Sequence, residues 1–578
     1  MQIYEEPELQ NLHKATFVQG RPSLEQVLPH GISREVFEVV VEAFASIVGR
    51  ANVATGEDLL NFTDPFTPNN KFTPSAAVCP KNIVEIQAVL EIASKHSIPL
   101  WTCSRGKNLG YGGAAPRLKG SVVLSLYRMS RILEVNEKQA YAVVEPGVTF
   151  WDLSHYCLEK APSLWASVPF ISWGSVLGNT LDRGFGYNAL GCHHENICGL
   201  EAVLANGDVV RTGQWAAEGA PTGPVSRQSF GPSVEGLFLQ SNLGIVTKLA
   251  IWLQPRPETY MNVVVHAKDF DDIDGLLEAI AQLRRDDIIQ NDPLLSNIIL
   301  NALNLGMKRN EFQNSNGTLG EEAIEKIKEK YGLAYWACNF DFYGTKEMIM
   351  ARLRRSREVI LKLCPTARLE HELFEGEVGK PLDPKAIESV TVKGEAVGVA
   401  TVWKAGMINF ALPNDGSGHG AHCDFAPLLP HDGKFVKEWL TTAMSLFTEH
   451  GFDFLLGGHV FRRHFTAIHQ SMYNSDDEEQ VRRVDLLMDA LDEKSREYRL
   501  TNYRAHLRQM DAFQDHYNFN SHAYKRLIQT IKHLIPREFC LPASKEFGPK
   551  EKTGFNTSSK MGSERPVIGT LSGIVVRS

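Results

Sequence analysis

The sequence contains no uninterrupted apolar stretch near the roughly 20 residues that a membrane-spanning helix requires, so no membrane role is expected. It is also short of free positive charge. The 60 Lys and Arg stand against 68 Asp and Glu, and the net charge of −8 is carried by mixed-sign sequence without a basic stripe. That balance excludes nucleic acid as an expected partner. Cysteine is scarce, 9 in 578 residues, and the spacing is unpaired, which argues against a disulfide framework and against a zinc ribbon. The opening residues, MQIYEEPELQ, are acidic and lack the basic-then-apolar layout of a secretory signal. The last residues, Val575 to Ser578, carry no peroxisomal address of the SKL type. An intracellular, cytoplasmic setting is the resulting expectation, with a peroxisomal one left open.

Apolar residues at 43% and charged residues at 22% describe an ordinary globular protein, and 578 residues leave room for two to four domains. Internal repeats and low-complexity segments are lacking. Helical spacing marks Glu35–Val48 and Lys81–His96, where Ile83, Ile86, Val89, Leu90, Ile92 and Ala93 recur at helical spacing. Residues 85–101 read as a helix feeding a strand, 121–126 and 131–145 as further strands, and Thr149–Glu159 as another helix. Val168–Asn179 reads as a glycine-punctuated loop. Ala205-Asn206-Gly207 is a type I′ hairpin signal, and Gln240–Leu253 begins as a turn and ends as a strand. Composition shifts after Pro257. Asp271–Leu283, Glu321–Lys330, Phe435–His450 and Asp477–Lys494 read as helices, Trp336–Phe342 and Ile408–Leu412 as strands, and Asp476–Glu479 as a solvated helix start. The boundary falls near residue 258, with a return to the first unit around residue 500.

One stretch stands out, Ser104–Arg117 (SRGKNLGYGGAAPR). Glycines at 106, 110, 112 and 113 leave amides uncovered and permit positive φ, which suits a nest for a phosphate or pyrophosphate. Gly110, Gly112 and Ala115 loosely fit the GxGxxA dinucleotide pattern, but that pattern needs a helix directly after the glycines. Pro116 and the β-rich run Ser121–Leu126 follow instead, so the Rossmann reading fails. A glycine-rich surface turn with no ligand remains the alternative.

This nest, the loop Gly174-Ser-Val-Leu-Gly-Asn179 and the segment Ser241-Asn-Leu-Gly-Ile-Val-Thr-Lys248 together resemble the vanillyl-alcohol oxidase/p-cresol methylhydroxylase family of flavoproteins. The resemblance extends to Val143–Val148, Gly199–Gly207, Gly420–Cys423 and Asn502–Leu507, in order and over nearly the whole chain. It implies an α+β, two-domain flavoprotein. An FAD-binding domain would form from both chain ends (1–258 and 500–578), with a cap carrying a large antiparallel sheet between them (259–499). Ser104, Arg105, Gly106, Asn108, Gly110 and Gly112 would line the FAD pyrophosphate. Pro169, Ser175, Gly178, Asn179 and Gly184 would close it from the other side, and Ile245 would offer backbone to the flavin. His422 is implied as the covalent anchor of the flavin. A metal reading of His419, His422 and Asp424 lacks further clustered ligands, and no metal is expected.

The same resemblance implies that Tyr111, Tyr503 and Arg504 hold a phenolate oxygen, with Tyr187 in the same pocket. A phenolate pushes electron density to its para carbon, so a benzylic hydride would leave to flavin N5 through a quinone-methide, and dioxygen would be reduced to hydrogen peroxide. A small aromatic substrate and dioxygen are the implied partners, together with further copies of the chain in a homodimer or larger homo-oligomer. A packed aromatic beside a surface ion pair is the alternative for Tyr503-Arg504. Two departures bear on the chemistry. Phe170 stands where an aspartate assists reduction in vanillyl-alcohol oxidase, and Phe66 where a histidine assists flavin attachment. The segment Cys540–Lys545 is also looser than the family's glycine-rich version. Asp424, two residues from His422, shares a strand face with it if the segment is extended. It is therefore a candidate acid/base group for the one missing at 170, and His459 is a further pocket candidate. Cys192 and Cys198 read as ordinary thiols.

Overall fold

The computed structural model describes residues 24–67, 70–312, 317–383, 394–401, 403–413 and 415–534. The segment Cys540–Lys545 lies outside them. Among the described residues no helix is long and apolar enough to cross a membrane.

The first half of the chain builds two sheets. Helix α1 (Arg34–Val48) is capped by Ser33, whose hydroxyl accepts from the Val36 amide, and it buries Phe37, Val40, Val41 and Phe44. It lies against β1 (Val53–Ala54), β2 (Ala76–Val78), α2 (Ile83–Lys95), β3 (Leu100–Cys103) and β4 (Val122–Ser125). These strands take the order β1-β2-β4-β3, with β2 and β3 both parallel to β4. Their near-continuous apolar sequences are buried along their length, as parallel strands covered by helices require.

The second sheet is antiparallel. It comprises β5 (Ile132–Asn136), β6 (Tyr141–Val144), β8 (Ile197–Val203), β9 (Val209–Arg211) and β10 (Ile245–Trp252), in the order β5-β6-β10-β8-β9. Helix α3 (Phe150–Lys160) starts with a reciprocal capping box between Thr149 and Asp152. A short pair, β7 (Leu164–Trp165) with β11 (Gln254–Pro255), ties its end back to the sheet's exit. The Asn206-Gly207 hairpin forms, but not as type I′. Of its two residues only Gly207 has positive φ (86°), and its amide bonds to the Leu204 carbonyl at 2.9 Å. Asn206 stays on the ordinary side because its amide oxygen accepts from the Asp208 N–H.

The loop expected over Val168–Asn179 ends as a helix. Ser175 caps α4 (Val176–Leu181) by accepting from the Gly178 amide at 2.9 Å, so Gly178 and Asn179 are helical. Sequence periodicity cannot detect a helix this short.

Beyond residue 258 one large sheet dominates. β12 (Thr259–Ala267), β13 (Leu294–Asn297), β14 (Trp336–Gly344), β15 (Arg368–Glu375), β16 (Gly420–Phe425), β18 (Leu455–Val460) and β19 (Phe465–Asn474) follow the order β15-β12-β14-β13-β18-β19-β16. A short β17 (Leu428–Leu429) also pairs with β19. Helices α5 (Ile273–Arg285), α6 (Ile298–Asn304), α7 (Glu321–Tyr331), α8 (Lys346–Leu363), α9 (Gly433–Glu449) and α10 (Glu478–Glu497) contribute to its core. Asp477 caps α10, accepting from the Glu479 and Gln480 amides, which places the acidic run at a helix start as expected. Ile408–Leu412, expected as a strand, lies at the end of a 3₁₀ segment, Trp403–Ala411. A short apolar run without alternation satisfies either conformation, and here packing against β16 and β19 decides it.

Phe425, fully buried at the end of β16, packs on Trp439 of α9 and edge-on to Phe513 of the returning chain (5.5 Å). Phe425→Ala is expected to cost about 3–5 kcal/mol, measured as a lower midpoint in urea unfolding.

Candidate active site

Two loops and one returning segment converge beneath the large sheet. The first loop follows β3. Its backbone takes positive φ at Gly106 (66°), Gly110 (79°), Gly112 (115°) and Gly113 (55°). At Gly110 a Cβ would lie 2.4 Å from Cε1 of His422, so only glycine lets the loop approach β16. The second element is α4. Asn179 accepts from Nδ1–H of buried His193 at 2.7 Å, while His193 Nε2 accepts from the Ser167 hydroxyl at 3.0 Å. Burial pulls the His193 pKa down to about 3, so this tautomer is neutral. A Cβ on Gly184 would sit 2.1 Å from the Asn179 amide oxygen, which explains that glycine. The Ser175 hydroxyl is committed to its cap and to the Pro146 carbonyl (2.6 Å), so its part in the site is to set the helix. Ile245 begins β10 and is buried.

Asp182, the residue that ends α4, joins these parts. Its carboxylate accepts from Asn108 Nδ2 at 3.0 Å and lies 3.4 Å from Nε of Arg504, and that Nε also donates to its carbonyl at 2.7 Å. Gln240 donates to the Tyr503 carbonyl at 2.9 Å. The Arg504 guanidinium stands over the rings of Tyr111 (5.4 Å) and Tyr503 (5.1 Å). Tyr503-Arg504 is therefore a half-buried cluster tied to buried Asp182 and no surface ion pair. Burial raises the pKa of Tyr111 well above the ordinary phenol value, with the Asp424 charge adding to it, and burial likewise raises Tyr503 and Tyr187. All three phenols stay protonated and available as donors at neutral pH.

A cavity of ≈ 480 Å³ opens at this junction. Tyr111, Tyr187, Tyr503, Arg504, His422 and Asp424 all line it, as do Asn108, Pro169, Asn179 and His459. The large sheet roofs it. Val264 of β12, Asn339 of β14, Leu294 of β13, His459 of β18, Met472 of β19 and His422 of β16 all face it, one from each of six adjacent strands. Phe170 also lines it. His422 and Asp424 share a face, as strand alternation requires, and His422 Nδ1 lies 2.8 Å from Asp424 Oδ1. Burial pulls the His422 pKa down, but the Asp424 carboxylate, and Asp64 beyond it, carry it above the ordinary value. The Phe66 ring packs 4.9 Å from that imidazole. His419 pairs instead with Asp476 (2.7 Å), so the three-residue metal reading is not assembled.

Several features fit FAD. The glycine turn sits directly under His422. Lys107 beside it is half-buried, lines the cavity and has its pKa pulled down to about 7 by desolvation and by Arg105, the condition a diphosphate would relieve. Asn108 Oδ1 and Arg504 Nη2 are buried polar atoms without a protein partner.

Comparison with known proteins agrees. A family model for an FAD binding domain matches residues 74–213. The chain is 29% identical over 530 residues to the flavoprotein subunit of 4-cresol dehydrogenase [hydroxylating] from Pseudomonas putida, covering 90% of this chain and 99% of that protein. The structure of 4-ethylphenol oxidase from Gulosibacter chungangensis superposes with a TM-score of 0.81 at 30% identity, covering 88% of this chain and 96% of the other. Substrate-bound p-cresol methylhydroxylase gives the same score and coverage at 29% identity. The chain belongs to the vanillyl-alcohol oxidase/p-cresol methylhydroxylase family. This flavoprotein is an FAD-dependent oxidoreductase.

Sequence reasoning missed Asp182, Lys107 and His193. Lys107 carried a usable signal, a cation inside the phosphate-type turn. Asp182 carried none, because its partners lie 74 and 322 positions away. Asp182→Ala leaves the Arg504 charge and the Asn108 amide uncompensated. A stability loss of about 3–5 kcal/mol is expected, read by thermal unfolding of the purified flavoprotein.

Proposed function

We propose that this flavoprotein oxidises para-substituted phenols or related aromatic alcohols at the benzylic carbon. The observation that carries the reading is the convergence of buried Tyr111 with half-buried Tyr503 and Arg504 at the cavity. FAD supplies the two-electron acceptor, and dioxygen its reoxidant with release of hydrogen peroxide. Two protonated phenols and a permanent cation directed at one oxygen stabilise its anion, and burial strengthens each contact. The substrate phenolate then feeds electron density to its para carbon and favours loss of a benzylic hydride, leaving a quinone-methide. Tyr187 and Phe170 shape the walls beside that carbon. Asp424, the cavity carboxylate in contact with His422, takes the acid/base duty that Phe170 cannot perform. His422 holds the flavin covalently, and the residues of the 104–113 turn with Asn179 hold its diphosphate.

The assignment to phenols draws on the relatives' names as well as on the pocket. Those names divide between an oxidase and a dehydrogenase, so dioxygen as the acceptor belongs to the proposal. A second reading, a bulkier aromatic metabolite, rests on the extent of the cavity. It continues beneath β14 and β12 to His266, Leu305 and Leu333. Six strands at ~4.8 Å spacing make a roof about 24 Å across, wider than one phenol ring needs.

Hydrogen peroxide release in air on a panel of 4-alkylphenols and 4-hydroxybenzylic alcohols tests the reading. Turnover is expected, and inertness toward the whole panel with any electron acceptor would sink it. Arg504→Ala is expected to lower kcat/KM on these phenols by about 100- to 1,000-fold, while leaving the bound flavin spectrum in place. Acid precipitation should carry the yellow colour into the pellet for the unsubstituted protein and release it to the supernatant for His422→Ala.

A further inference from the structure

In a strand that reads Gly-Ala-His-Cys-Asp-Phe, the third and fifth residues stand on one face, and here their side chains meet. An ionised carboxylate can only accept, so the 2.8 Å contact makes His422 Nδ1 the donor to Asp424 Oδ1. The other nitrogen, Nε2, is then the one left to act on the cavity that His422 lines. The ring has little freedom to exchange the two. Phe66 packs on it at 4.9 Å, and Gly110 approaches so closely that an added Cβ would overlap Cε1 and Nδ1 and come within 2.9 Å of Asp424 Oδ2. The Phe66 carbonyl in turn accepts from the Tyr473 hydroxyl at 2.8 Å, which fixes the aromatic wall. The groups that bear charge on this imidazole are Asp424, in contact, and Asp64, which is itself bonded to His506 at 3.0 Å.

We infer that Asp424 is the positioning residue for covalent flavin attachment, holding His422 in the Nδ1–H tautomer so that Nε2 is the nucleophile toward the flavin 8α carbon. The inference rests on the flavin-attachment reading above. In the balanced step the 8α methyl loses one proton to solvent and Nε2 forms the C–N bond. The imidazole gives up its one N–H proton through Asp424. Two electrons remain on the ring system and pass to dioxygen, so that methyl, imidazole N–H and O2 become the linked methylene and H2O2. Asp424 offsets the positive charge that the imidazole gains as the bond forms. A neutral aromatic side chain such as Phe66 offers no such service, so the duty falls to the strand itself.

The test is the ratio of covalent to total bound flavin in purified holoenzyme, by acid precipitation and by in-gel flavin fluorescence after denaturation. Time courses of incorporation follow in apoprotein given FAD. Asp424→Ala is expected to bind FAD but to attach it about 10- to 100-fold more slowly. Asp424→Asn, which keeps an acceptor for Nδ1–H without the charge, should fall between that variant and the unsubstituted protein. This graded rescue would not follow from a merely structural role. Complete attachment at the ordinary rate in both variants would overturn the inference while leaving His422 as the anchor. Should Asp424→Ala fail to fold, Asp424→Asn alone decides, and an unchanged rate in it counts against the inference. Flavin released from the unsubstituted protein would overturn the anchor and this inference together.

Discussion

The site depends on one buried carboxylate. Asp182 holds an amide from the glycine turn and a guanidinium from the returning chain, at the foot of a helix that carries Asn179. The three are a glycine turn, a helix end and a returning segment that meet at one cavity. A charge in such surroundings persists only when it is fully hydrogen-bonded, and the pairing therefore fixes three remote stretches of sequence at once. Arg504 is held on one side by Asp182 and packs its face on two phenol rings, which leaves its remaining donors to the cavity. The position of the cation is thus set before any substrate arrives.

Above this base the sheet supplies breadth. Alternation along each strand turns every second side chain to the cavity, and neighbouring strands bring unlike chemistry side by side: a histidine and carboxylate on β16, a thioether on β19, a neutral imidazole on β18. The apolar faces of the same strands bury against α5, α8 and α9, so the polar roof is carried on a rigid core. Both tasks are met by a two-residue period, and neither requires an irregular backbone.

Much of this was legible in the sequence. The helices at 34–48, 83–95 and 478–497 followed from helical patterning, and the shared face of His422 and Asp424 followed from the period of an extended strand. The lining of one cavity by Tyr111, Tyr187, Tyr503 and Arg504 came through resemblance. What the sequence hid was of two kinds. Very short elements such as α4, and the 3₁₀ segment that took Ile408, are settled by packing and not by local preference. Long-range polar pairs, such as Asp182 with Asn108 and Arg504 or Asp64 with His506, join residues that no local pattern relates. The Asn206-Gly207 turn adds a smaller lesson, since a hydrogen bond from the Asp208 amide to the Asn206 side chain shifted its geometry within a hairpin correctly placed.

Among the described residues β16 is the outermost strand on its side of the large sheet, paired there only with β19. Its open edge is met by the glycine turn, where the Gly110 carbonyl accepts from the Asp424 amide. An uncovered strand edge is a template for pairing with another chain. The turn suited to the cofactor thus also serves as an edge guard, and colloidal behaviour and cofactor binding become two readings of one short loop.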